Sequence, residues 1–112
     1  MPNCEQFTED LIEAIFGLQR IREIAKGPVR RLRAKEADEN ITAINIVRQR
    51  HSSIFSEKGK ETLKINVPSL NDRLMKNHFD AADIIAKNTL ELLYKEGIPA
   101  MIDCICNCRV GK

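Results

Sequence analysis

Tryptophan is absent from this 112-residue chain, and its aromatic side chains are four Phe and one Tyr. A core built under that constraint is aliphatic, and Ile, Leu, Val and Ala pack readily between helices. The scarcity also removes the stacking platforms on which single-stranded nucleic acid binding depends. Glycine and proline are sparse, at five and four residues. There is no glycine-rich phosphate loop, nucleophile elbow or histidine-metal helix motif. The two histidines, His51 and His78, stand apart without ligand spacing. An enzyme is therefore not expected, and nothing implies a cofactor or a small-molecule substrate. Long uncharged apolar runs are missing too: the best candidate, Ile98 to Ile105, is broken by Asp103, so no membrane span is expected. The opening residues, MPNCEQFTED, are acidic and carry no apolar segment, which argues for a cytoplasmic protein. The four cysteines are then expected as reduced thiols.

What is present fits one domain, 1–112, with 1–6 and 109–112 frayed. Apolar residues make up 43% and charged residues 30%, the balance of an ordinary globular protein. The net charge of +2 hides an uneven distribution. Residues 1–16 hold Glu5, Glu9, Asp10 and Glu13 and no base, 17–60 are strongly basic, and 61–112 balance.

The best-signalled segment is Asp80 to Gly97. Asp80 can cap a helix start with Asp83 as its capping-box partner, and Gly97 and Pro99 supply a stop. Asp83, Lys87, Glu91 and Lys95 form an alternating i, i+4 ladder, a single solvent strip on an otherwise apolar helix. So thin a strip calls for cover on two sides. A homodimer is expected, with Ile84, Ile85, Leu92 and Leu93 contributing to its seam.

Upstream, Phe7, Leu11, Ile15, Leu18, Ile21 and Ala25 recur at spacings of three and four, which predicts a helix over Glu9 to Lys26 with Thr8 as its cap. Pro28 can open a long second helix carrying Val29, Leu32, Ala37, Ile41, Ile44, Val47, His51 and Ile54. A new start at Ile41, or a strand over Ile41 to Val47, competes with that reading. Ser56 to Lys60 reads as a loop. Leu63, Ile65 and Val67 alternate before Pro68, which predicts a short strand or hairpin near 62–67. Ser69 with Asp72 then opens a further helix. The fold expected is all-α, with four to five helices in an antiparallel bundle-like domain.

Three features bear on function. Arg30, Arg31, Arg33 and Lys35 sit near a predicted helix start, and Arg48 and Arg50 lie further along; together they could grip the phosphates of duplex DNA. The plain alternative is a solvated face neutralised by Glu36, Asp38 and Glu39. The order strand (Thr62 to Val67), Pro68, helix, helix is similar to a ribbon-helix-helix DNA-binding module. That resemblance implies a paired strand in the major groove with Lys64 and Asn66 facing the bases. Third, Cys104, Cys106 and Cys108 stand one residue apart. Thiolates can hold soft metals, but structural zinc sites use wider pairs, so small buried side chains are the expected role and no metal site is assigned. His51, on the apolar stripe of its helix, is expected as a hydrogen-bonded core or interface histidine. The chain reads as a small regulatory or binding protein. Duplex DNA bound by a dimer is the first specific expectation. The alternative is a protein-interaction module with an apolar groove beside its first helix that accepts a partner helix.

Overall fold

The computed structural model describes residues 4–26 and 34–110, with side chains for 4–26 and 39–107. Five α-helices are formed: α1 (Cys4–Lys26), α2 (Ala34–Arg50), α3 (Glu57–Met75), α4 (Phe79–Leu92) and α5 (Ile98–Val110). A 3₁₀ turn at Ser52–Ile54 links α2 to α3, and a π-helical turn at Leu93–Gly97 joins α4 directly to α5. Neighbouring helices run antiparallel, as paired contacts along each seam show. Asp10 meets His51 and Gly17 meets Asn40 between α1 and α2. Arg22 meets Asp83, Leu11 meets Gly97 and Cys4 meets Cys104 between α1 and the α4–α5 rod. Between α3 and that rod, Asn66 meets Thr89 and Ser56 meets Glu96.

The pattern that drives this assembly is a spacing of alternately four and three residues. On α1 it runs through Phe7, Leu11, Ala14, Leu18, Ile21 and Ala25, and on α3 through Leu63, Val67, Leu70 and Leu74, all buried. Such spacing keeps one seam facing its neighbours in a bundle. These side chains share one core with Ile44, Val47, Phe55, Ala82, Ala86, Leu90 and Leu93. At roughly 1.5–3 kcal/mol for each large apolar side chain fully withdrawn from water, this core dominates the stability.

Three local expectations are corrected. No strand forms among the described residues, and 62–67 belongs to α3. Leu63 and Val67 are buried one turn apart, while Ile65, which completes the apparent alternation, is 58% exposed. Pro68 lies inside α3, where it leaves the carbonyl of Lys64 without a helical donor; both residues are exposed, so water takes that bond. The supposed loop at 56–60 is instead a helix start. Ser56 is the N-cap, its hydroxyl accepting a bond from the Gly59 amide at 3.0 Å.

Gly97 and Pro99 do not end the fourth helix either. The π turn absorbs the proline. The Ile98 amide bonds to the Leu93 carbonyl five residues back, widening the turn just before the position that has no N–H to give. Gly97 serves close approach: a Cβ there would stand 2.9 Å from Leu11 Cδ1 of α1. The true break is earlier. Asn77, at φ 59°, ends α3 in the left-handed region. The amides of Asn77 and His78 bond back to the carbonyls of Leu74 and Arg73, the paired closure of a Schellman motif.

The helix starts differ from expectation at the N-terminus. α1 begins at Cys4, so residues 4–6 are ordered helix, and Gln6 donates a 2.8 Å bond to Asp10. Cys4 and Cys104 form a disulfide, with Cα atoms 5.8 Å apart, which corrects the expectation of four free thiols. No helix among the described residues is long and apolar enough to cross a membrane.

Candidate functional site

α2 and α3 reach only as far along the bundle as Asp10 of α1 and Glu96 of the π turn. Beyond that level the first turns of α1 and all of α5 continue as a two-helix arm, closed at Cys4–Cys104. The molecule is accordingly elongated, at 50 × 24 × 18 Å. α5 carries Ile98, Met101, Ile102 and Ile105 but packs chiefly on α1. Ile98 and Met101 lean on the shared core, while Ile102 is left largely exposed.

A second stripe on α1 borders this arm. Ile12, Phe16, Gln19 and Glu23 again follow at spacings of four, three and four, but on the solvent side of the core stripe. The facing stripe on the α4–α5 rod runs Lys87, Glu91, Tyr94, Ile98, Ile102. Gln19 Nε2 donates to Tyr94 Oη at 2.8 Å, which fixes the two stripes as the walls of one groove. Its half nearer the α3–α4 turn is charged, a hollow of about 400 Å³ lined by Arg22, Glu23, Lys26, Lys87 and Glu91 with Leu90 at its floor. Its other half is apolar, with Ile12 39%, Phe16 63%, Tyr94 46% and Ile102 51% exposed. Contiguous exposed apolar side chains of this size mark interaction surfaces, whereas isolated ones such as Ile65 do not.

Of the six residues expected to contact DNA, only Arg48 and Arg50 have described side chains. Arg30, Arg31 and Arg33, and the side chain of Lys35, lie outside the described residues. Arg48 is half-buried on α2. Arg50 points its Nη1 at Asp10 Oδ2, 3.6 Å away. Arg22 is held by Asp83 at 2.9 Å, with Lys26 near the same carboxylate at 3.9 Å. Asp83 therefore leaves the expected surface ladder and ties α4 to α1. Without a strand at 62–67, the likeness to a ribbon-helix-helix module is lost, and Asn66 instead bonds the buried Thr89 hydroxyl at 3.2 Å.

The four residues expected at a dimer seam do not share one exposed face. Leu93 is fully buried within the chain and cannot contribute to a surface seam. Ile85 and Leu92 lean on the same core, and only Ile84 is largely exposed, at 59%.

Asp10 and His51 form the buried polar centre of the α1–α2 seam. His51 Nε2 and Asp10 Oδ2 are 2.8 Å apart, and the imidazole stacks obliquely on Phe7 at 5.0 Å. Burial acts to raise the Asp10 carboxyl. The bonds from His51 and Gln6 and the charges of His51 and Arg50 outweigh it, so the group lies below the ordinary carboxylate range. The cluster joins the first helix to the end of the second. Asp10 could have been picked out in the sequence, since it stands among Phe7, Leu11 and Ala14 on the apolar face of α1. Of the remaining cysteines, Cys106 is an exposed thiol, and the Cys108 side chain lies outside the described residues. Among the described residues, no group of three His, Cys, Asp or Glu is placed to hold a metal.

Comparison of the chain with protein-family models, curated proteins and solved structures returns no match.

Proposed function

We propose that this protein is a non-enzymatic protein-interaction module that receives a helix of its partner along the α1–α5 groove. The observation that carries the reading is the set of exposed apolar side chains along the two walls, Ile12 and Phe16 on α1 and Tyr94 and Ile102 on the α4–α5 rod. Two parallel walls at helix spacing offer a third helix the i, i+3, i+4 anchoring positions used in groove recognition. Duplex-DNA binding through Arg48 and Arg50 is the weaker reading, because one is half-buried and the other is drawn to Asp10.

Affinity capture from nuclease-treated extract tests this. The wild type is expected to recover one stoichiometric protein. Phe16→Asp should lose it, while Ile65→Asp, a change at an equally exposed site on α3, should keep it. Retention by Phe16→Asp, or loss of all binding on nuclease treatment, would reject the groove.

A further inference from the structure

We infer that the helix accepted by this groove is cationic along one edge, an amphipathic segment whose apolar stripe is bordered on one side by Lys or Arg. This rests on the helix-binding reading above and adds the chemistry of the partner. The apolar row on α1 has an acidic border. Glu9 lies one turn before Ile12 and nearly in phase with Phe16, Glu13 is three residues before Phe16, and Glu5 lies one turn before Glu9. All three are exposed; Arg20, one turn after Phe16 on the same edge, is the one exposed base described there and lies 3.7 Å from Glu23. Gln6 and Asp10, on the same turns, face the α2 seam instead. The acidity of the chain's first sixteen residues is thereby concentrated on the solvent edge of the groove, apart from the buried Asp10.

The opposite edge differs. Helical phase measured from Gly97, which faces α1, places Lys95, Pro99 and Cys106 beyond Ile102, with the exposed Asp103 one turn after Pro99, so that edge carries one cation and one carboxylate. One acidic wall set against a balanced one selects an orientation as well as a charge. A docked helix would set its Lys and Arg over Glu9 and Glu13. A second copy of this chain is a poorer occupant, because an isologous contact sets against Glu9 and Glu13 either the same acidic rim or the edge with Lys95 and Asp103, neither of them a cationic row. An anionic membrane surface is disfavoured for the same reason.

The test uses the full-length oxidised protein and two synthetic amphipathic helices of about five turns. They share one leucine stripe and differ only in carrying Lys or Glu along its border. Fluorescence anisotropy should show the Lys peptide binding about tenfold or more tighter than the Glu peptide, the sum expected for a few exposed charge pairs. The gap should narrow with added salt and close in Glu9→Lys/Glu13→Lys, whereas Phe16→Asp should abolish both. Equal binding of the two peptides, both lost in Phe16→Asp, would overturn the charge assignment and leave the helix-binding reading standing. Binding of neither peptide would reject both readings. A stable dimer that excludes both peptides and dissociates in Phe16→Asp would give the surface to a second copy and overturn the inference.

Discussion

Replacing Cys4 and Cys104 together by serine removes a crosslink between positions 100 residues apart in sequence. In the chain-entropy account, releasing a loop of that length frees the unfolded chain by roughly 4–5 kcal/mol. That is a large share of the ~5–15 kcal/mol that typically hold a domain together. The structure also says where the loss should be felt first. α5 beyond Gly97 packs chiefly on α1, so without the bond the arm has little to resist separation, whereas α3 keeps Leu63, Val67, Leu70 and Leu74 in the core. Urea unfolding followed by far-ultraviolet circular dichroism measures the global effect. With a slope of about 1–1.5 kcal/mol per molar urea, the midpoint should fall by roughly 3–5 M. Dithiothreitol should bring the wild type to the same midpoint. Hydrogen exchange measures the local effect, and amides of 98–107 should lose protection before those of α3. The reasoning is refuted if the double serine variant unfolds at the midpoint of the oxidised wild type with α5 equally protected.

Asp10→Ala strands His51 and Arg50 beside an empty buried site and should destabilise by about 3 kcal/mol in the same denaturation assay. Because the Asp10 carboxyl titrates lower folded than unfolded, its contribution is present above about pH 4 and is lost as pH falls through the folded value. Asp10→Asn should accordingly flatten the acid limb of a stability profile measured by thermal melts. At Asn77, whose φ is positive, Asn77→Ala should cost about 1 kcal/mol while Asn77→Gly should cost nothing; calorimetry separates the two. Ser56→Ala removes the hydroxyl that caps α3 and should cost about 1 kcal/mol, read from the urea midpoint.

The stripes that make the core were legible because a three-four spacing has one natural host. Phe7 to Ala25 and Leu70 to Leu74 needed no tertiary information. The misreading at 62–67 came from Ile65, an exposed apolar residue that turned a helical Leu63–Val67 pair into an apparent alternation. Two prolines misled in the same direction. Pro68 sits on an exposed face where water replaces the missing donor, and Pro99 follows a π turn that makes room for it; neither remedy is written in local propensity. His51 on its apolar stripe and Asp10 among Phe7, Leu11 and Ala14 are each legible in the sequence, but their pairing across 41 residues is not. A helix starting at Glu9 makes Asp10 a first-turn acid, whereas α1 starts at Cys4 and seats it against His51. For the groove proposed above, the sequence offers only an apolar face beside the first helix. Its second wall depends on α5 continuing from α4, which the apparent stop at Gly97 concealed.

That continuation turns on a count of one. A π turn holds one residue more than the α-helical turn it replaces, so Leu93–Gly97 advances the phase of everything after it. Deleting a single residue there would restore an ordinary helix and rotate α5 by about 100° about its axis. Cys104 would then swing away from Cys4, and Ile98 and Ile102 would leave the wall they share with Tyr94. The groove and the disulfide are therefore set by one angular offset, and a length change that leaves every side chain of the arm intact would dismantle both.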